Sequence, residues 1–302
     1  MSAPVALGVD VGGTKVLGVV TDATGRVLAE ERRPTPRSGA EDLTRAIHDV
    51  VASLGARGDL ADLPVGVGLP GLVDLGGVLR FSPHLAAAVG LDLRRTWPAA
   101  WASPHVLNDA AGAAGAEREW GAARDLDDAL FVALGTGIGG ALIRHGGLEA
   151  GPRGFAGEYG HMTIVPRGEA CPCGGRGCWE RYASADGLVR FEREAGGSGD
   201  GGGPGVVARA RRGEPAATAA LEQFVTWLAL GLANLVAALD VATVIIGGGM
   251  AREADLFLSA TEAGLAGSTE GSVARPATRL RPAATGEHAG ALGAALAAWR
   301  SA

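Results

Sequence analysis

Between Gly157 and Glu180 the chain reads G-E-Y-G-H, a spacer, then C-P-C-G-G-R-G-C-W-E, and these residue types can do metal chemistry. The protein's three cysteines, Cys171, Cys173 and Cys178, all fall in this stretch. Three thiolates so close offer soft ligands to one ion. Tetrahedral zinc takes four donors, and His161 is the nearest imidazole upstream. Four protein donors leave no open position for a water nucleophile, so a zinc ion here is structural. The alternative is a set of metal-free buried thiols, but thiols this clustered are prone to oxidation. A disulfide framework fits poorly, because the count is odd and the chain is large. Gly174, Gly175 and Gly177 let the backbone curl tightly around an ion. Glu158 and Glu180 are carboxylates that a closed zinc site does not need. Beside an imidazole they can face outward and hold a polyhydroxylated ligand.

A second set of residues suits phosphate chemistry. Asp10 ends an apolar run and is followed by Gly12, Gly13, Thr14 and Lys15. Such a turn can present backbone N–H groups and a hydroxyl to a phosphate, and Asp10 could hold magnesium through water. A plain β-hairpin turn explains the same residues. The pattern recurs at Gly135, Thr136, Gly137 and Gly139, which suggests a duplicated α/β unit with a phosphate loop in each half. Gly247, Gly248 and Gly249 follow another apolar run, the place where α/β proteins approach a nucleotide. Close packing alone would also account for them. Asp109 lies where a strand gives way to a helix. It can be an N-cap, which Asp and Asn favour, or a general base kept ionised by the helix dipole; one residue can be both.

The elements that must position these groups alternate along the chain, which argues α/β throughout. Strands are expected at Val5–Asp10, Val16–Asp22, Val27–Ala29, Val65–Leu69, His105–Leu107, Ala129–Leu134, Ala141–Arg144 and Ala242–Ile246. Helices are expected at 41–54, where Leu43, Ile47, Val50 and Leu54 share a face, and at 110–119, 183–194, 206–212, 218–239 and 287–299, with one more starting near Arg252. Gly196–Gly205 reads as a mobile loop. The chain has 302 residues, enough for two domains, and a net charge of −6, which disfavours non-specific nucleic-acid binding. No leader of charged and then apolar residues opens the sequence. Phe224–Leu239 is too short for a membrane span and reads as a buried helix. A reducing cytoplasm suits the thiols.

Taken together these motifs resemble the ROK family (repressor, open reading frame, kinase). The resemblance covers nearly the whole chain. It runs through D-V-G-G-T-K at Asp10–Lys15, G-L-P-G at Gly68–Gly71, N-D at Asn108–Asp109 and G-T-G-I-G-G at Gly135–Gly140. It continues through E-Y-G-H at Glu158–His161, the cysteine signature at Cys171–Glu180 and G-G-G at Gly247–Gly249. The cysteine signature in register with E-x-G-H is highly specific, whereas each glycine loop alone is weak.

This resemblance implies an actin-like, ribonuclease-H-like ATPase fold with two lobes around a cleft. The smaller lobe would span 1–109, with the helix at 287–302 packing back on it. The larger, 110–286, would carry the zinc loop. The resemblance further implies phosphorylation of a hexose by ATP and Mg2+, usually at the 6-hydroxyl. Asp109 would be the base; Gly71, His84, Asn108, Glu158, His161 and Glu180 would face the sugar. His161 would bind Zn2+ with one ring nitrogen and sugar with the other. Asp10 to Lys15 and Gly135 to Gly139 would embrace phosphates, and Gly247–Gly249 would lie near adenosine. C-W-E-R-Y-A-S at Cys178–Ser184 looks most like bacterial zinc-containing glucokinases, so glucose is the first expectation. His84 stands where family hexokinases often have Asn, and Ala111 replaces the last Asn of N-D-A-N. Both lie near the sugar, so mannose, fructose, glucosamine, N-acetylmannosamine or another N-acylhexosamine are alternatives, as is polyphosphate as donor. A non-catalytic sugar sensor is a further alternative, although Asp10 lies so near Met1 that no winged helix-turn-helix precedes it. The family also implies a homodimer or homotetramer.

Overall fold

The computed structural model describes residues 3–56, 62–269, 271 and 274–302. Its strands are β1 (Pro4–Val11), β2 (Lys15–Asp22), β3 (Val27–Pro34), β4 (Val65–Leu69), β5 (Leu72–Val73), β6 (Leu79–Phe81), β7 (His105–Asn108), β8 (Ala129–Leu134), β9 (Ile138–Arg144), β10 (Gly147–Leu148), β11 (Thr243–Gly247) and β12 (Arg279–Pro282). Its helices are α1 (Ala40–Gly55), α2 (Leu93–Thr96), α3 (Asp109–Trp120), α4 (Glu180–Ala183), α5 (Ala185–Glu194), α6 (Gly202–Arg211), α7 (Pro215–Leu239), α8 (Ala254–Ser268) and α9 (Ala289–Ser301). They form two compact units, one of Met1–Leu126, Gly146–Gly157 and Ala284–Ala302, the other of Asp127–His145 and Glu158–Ala283.

Each unit is built on the same strand plan. In the first, β1 pairs antiparallel with β2, then parallel with β4, which pairs parallel with β7. In the second, β8 pairs antiparallel with β9, then parallel with β11, which pairs parallel with β12. The middle strands β4 and β11 are buried along all five of their residues, as strands covered on both faces must be. Beyond β2 the first sheet gains β3, whose outward charges mark it as an edge.

In the first unit the apolar face of α1, with Leu43, Ile47, Val50 and Leu54, covers one side of the sheet. The other side takes α9 at unusually close range. A side chain at Gly8 or Gly66 would collide with the α9 backbone at Ala291 or Ala294, and one at Gly293 would collide with the α3 carbonyl of Gly112. This contact explains why the first unit extends past residue 109: α3 belongs with α9, and the unit keeps its chain through Leu126. Fully buried Glu117 of α3 also accepts from the backbone amides of Ala284 and Thr285, tying down the segment that leads into α9.

Several local expectations shift. The helix expected over 183–194 is broken at Ser184, which is extended and caps α5 by accepting from the Gly187 amide. Helix α6 starts at Gly202, inside the expected loop, and that loop is held by buried Glu192, which accepts from the Gly199 amide and pairs with Arg209 at 2.6 Å. Helix α7 runs 25 residues from a proline in its first turn, so length and composition would let it cross a membrane, contrary to the shorter reading. It packs on α5 and α8 inside the second unit, with Phe224, Leu228, Leu232 and Val236 in the core.

Candidate active site and metal centre

The donor atoms of His161, Cys171, Cys173 and Cys178 all lie within 4.8 Å of one another. Cys173 Sγ is 3.7 Å from Cys178 Sγ, and Cys171 Sγ is 3.7 Å from His161 Nδ1. A tetrahedral zinc with Zn–S bonds near 2.3 Å sets its sulfurs about 3.7 Å apart, so the donor set fits this ion in type, number and spacing. Burial pushes the Cys171 and Cys178 thiols up, so an ion must displace their protons to bind.

The loop is shaped by local rules and anchored by one side chain. Gly177 has φ of +74°, and a side chain there would collide with the Val165 carbonyl. Cys171 N–H donates to Gly175 O, and Gly174 N–H returns to Cys171 O. Directly after Cys178 comes Trp179, fully buried, its indole N–H donating to the Trp227 carbonyl of α7 at 2.8 Å. The indole occupies the place where a side chain at Gly231 would be. Glycine inside a helix costs about 1 kcal/mol relative to alanine, and at Gly231 that cost is offset by room for Trp179. Tyr182 adds a second tie, its hydroxyl accepting from the Glu169 amide.

His161 is shared between the cluster and two acids. Its Nδ1 faces the sulfurs and lies 3.7 Å from Glu180 Oε1, while Nε2 lies 3.6 Å from Glu158 Oε2. Metal on Nδ1 therefore leaves Nε2 to hydrogen-bond on the acid side, which fixes the tautomer. Glu180 also meets the β8–β9 turn, since a side chain at Gly137 would collide with its Oε2. That turn closes through Gly135 N–H to Gly137 O, and Gly135 O accepts from the α5 amide of Ala185. Thr136 is exposed at the tip, and Gly139 lies within β9 opposite Ala133.

Among the remaining glycines the structure separates two kinds. A side chain at Gly247 would strike Phe131, and Gly248, with φ of +78°, sits against the Leu134 backbone; packing explains both. Gly13, Gly135 and Gly249 are not left-handed, and a side chain on any of them would meet nothing. The fold does not demand glycine there, whereas a phosphate laid along the backbone would.

In the first unit Asp10, next to last in β1, and Asp109, which opens α3, lie on either side of Gly68: a Cβ on that glycine would lie 3.7 Å from Asp10 Oδ1 and 3.7 Å from Asp109 Cβ. The N-cap of α3 is Asn108, not Asp109: its Oδ1 accepts from the Ala111 amide and its Nδ2 donates to Gly71 O. Asn108 thus ties α3 to the turn at Gly71, which has φ of +108°. With the capping role taken, Asp109 is left as the first helical residue, its Oδ1 accepting from the Ala110 amide at 2.8 Å. Burial raises the Asp109 pKa, outweighing that amide and the nearby His84, which pull it down. His84 is exposed after Ser82, whose Oγ accepts from the Leu85 amide. The Gly12–Lys15 turn is closed by Gly12 N–H to Lys15 O and braced by the Thr35 hydroxyl on Gly12 O, with Thr14 exposed. Lys15 Nζ pairs with Glu287 at 3.0 Å. Glu287, Gly231 and Gly290 carry no motif; the signal that could have flagged the last two is glycine inside a helix.

Burial, then the nearby Asp109 charge, push Asp10 up to about 7, against a partial pull from Lys15. A carboxyl raised by folding stabilises the fold most while protonated. Its contribution is complete below about pH 4 and is lost as pH rises through 7. Asp10→Asn should therefore match the parent at pH 4 and exceed it at pH 8 by about 2 kcal/mol, allowing for partial solvent exposure. Calorimetry at the two pH values checks this; equal melting temperatures at pH 8 would refute it.

Comparison with known proteins gives consistent likenesses. A sequence model of the ROK family matches residues 6–300. The chain is 33% identical to a glucokinase of Streptomyces coelicolor, over 96% of each chain. It is 32% identical to an N-acetylmannosamine kinase of Escherichia fergusonii, over 80% of this chain and 82% of that one. Its coordinates superpose on a ROK family glucokinase from Streptomyces griseus, solved in complex with glucose and AMPPNP, with a TM-score of 0.88 and 33% identity, covering 98% of this chain and 99% of the other.

Proposed function

The chain belongs to the ROK family, and from that premise we propose that it is an ATP-dependent hexose kinase whose first substrate is glucose. Its fold is the actin-like ATPase fold, with the strand plan repeated in both units. One observation carries the reading. His161 turns one nitrogen to the cluster of three cysteines and the other toward Glu158, with Glu180 beside both. A zinc ion held by the cluster would aim an imidazole and two acids, and such a set of acceptors and donors suits sugar hydroxyls.

In this reading Glu158, His161 and Glu180 hold hydroxyls while Asp109 accepts the proton of the reacting one. The freed oxygen forms its bond to the γ-phosphorus as the bridge to the β-phosphate breaks, and ADP leaves. Amides of the Gly12–Lys15 and Gly135–Gly137 turns receive phosphate oxygens, and Gly249 leaves room beside adenosine. Magnesium would supply charge neutralisation between β- and γ-phosphates, and the Asp10 carboxylate is the residue fitted to hold it through water. Asn108 acts on the sugar side chiefly by fixing α3 against Gly71. A homodimer or homotetramer in a reducing cytoplasm completes the proposal, in keeping with three free cysteines.

A second reading is supported by His84, which stands in the sugar-side loop where related hexokinases often carry asparagine. It keeps the chemistry and changes the acceptor, to mannose, fructose or an N-acylhexosamine. ADP release from ATP with each hexose separates the readings. Glucose is expected to give the highest kcat/KM; an N-acylhexosamine leading would favour the second, and no ADP above background with any acceptor would refute both.

A further inference from the structure

We infer that Gly290 is a positioning residue for Asp10: the helix α9 offers its bare second residue as the seat on which the Asp10 side chain lies. The inference rests on the kinase reading for its consequence, but not for its geometry. A Cβ on Gly290 would lie 2.7 Å from both Cγ and Oδ1 of Asp10 and 3.0 Å from Oδ2. The carboxylate thus lies flat against this one glycine. Neither Asp10 oxygen takes part in a hydrogen bond or ion pair among the described residues, so packing alone fixes the side chain. Its surroundings are Gly68, then Asp109 across that glycine, with Lys15 acting from the start of β2.

Backbone conformation gives no reason for glycine at 290. The residue is helical, its φ is not left-handed, and alanine is the better helix former. The seat itself is held from behind. Glu117 clamps Ala284 and Thr285, and Gly8, Gly66 and Gly293 let α9 settle against β1, β4 and α3 without slack. An added methyl therefore cannot be relieved by sliding the helix, and the Asp10 carboxylate must swing instead. A side chain meant to hold a metal-bound nucleotide would then be misplaced, at a loss of the order seen for ~1 Å errors in positioning, about 10²-fold.

The test is Gly290→Ala beside the parent and Gly55→Ala, a glycine with open space around it. With the parent first shown to turn over a hexose, Gly290→Ala should lose about 100-fold in kcat and require more Mg2+ for half-maximal rate. Hexose affinity should stay at the parent value and neither variant should melt below the parent, while Gly55→Ala should keep the parent kcat and Mg2+ requirement. A readout free of turnover is the 13C-carboxyl titration of Asp10 without nucleotide: its midpoint should fall in Gly290→Ala as the group swings toward water. An unchanged midpoint overturns the inference, even if the parent proves to be no kinase. Equal losses in kcat, hexose affinity and melting temperature would show a merely structural role and overturn it as well. Should Gly290→Ala fail to fold, Gly290→Ser in an Asp10→Ala background tests the same collision: with the carboxylate gone, folding should return, and continued misfolding would overturn the seat.

Discussion

Asp109→Asn is expected to lower kcat by about 10²–10⁴-fold, the usual worth of a general base, with hexose and ATP affinities near those of the parent. The substitution is close to isosteric, and its amide oxygen can keep accepting from the Ala110 N–H that Asp109 now holds. Helix α3 should therefore start unchanged, since its cap is Asn108. What disappears is a carboxylate whose pKa burial raises, a change that makes it a better proton acceptor once ionised. Residual turnover should come from orientation and charge neutralisation, which dominate phosphoryl transfer. A secondary effect follows from the Asp109 charge acting on Asp10: without it, Asp10 should titrate lower. Steady-state kinetics with both substrates varied would decide the matter. A kcat within about threefold of the parent would remove Asp109 from the base role.

The second large effect is expected from the metal. Cys178→Ser should abolish zinc binding, because a buried thiolate next to Trp179 gives way to a weaker hydroxyl ligand. Site formation in zinc-finger peptides is worth about 10–16 kcal/mol. Even a fraction of that is enough to keep the turns at Gly174 and Gly177 closed. Without it His161 loses the partner that orients it, and Glu158 and Glu180 lose their alignment. Hydrogen bonds to charged groups contribute about 1.5–3 kcal/mol each, so loss of two should weaken hexose binding by about a hundredfold or more. Elemental analysis, calorimetric titration with glucose and limited proteolysis of the Gly174–Gly177 segment would measure this. Parent protein stripped by a chelator should behave likewise and recover on zinc addition, while the variant should not. Undiminished hexose affinity in zinc-free protein would detach the metal from the sugar site.

Much of this was legible in the chain because it is local. Cys171, Cys173, Cys178 and His161 announce a tetrahedral site by type and spacing, and the structure gathers them. The two glycine turns announce a repeated strand plan, and both sheets have it. What stayed hidden depends on contacts distant in sequence. Ser184 looks helical until its side chain is seen capping α5. Asn108 is expected beside the sugar from its place in the N-D motif, but that its side chain also ties α3 to Gly71 shows only in the fold. β5, β6 and β12 have two to four residues, too few for any period to show. Gly231 and Gly290 look like flaws in helices; each is the place where another side chain, Trp179 or Asp10, comes to rest.

The first unit is assembled from three separate stretches of chain, and the last, Ala284–Ala302, brings α9 to the underside of β1 and β4. On the ribosome, β1 emerges long before α9. Until α9 arrives, the glycine-lined face of β1 and β4 lacks its main cover. The intervening Glu158–Ala283 stretch, joined by Asp127–His145, holds its own core and can become native while that face still waits. A nascent chain stalled before residue 284 should thus display one finished half and one sticky sheet, the kind of surface that chaperones hold.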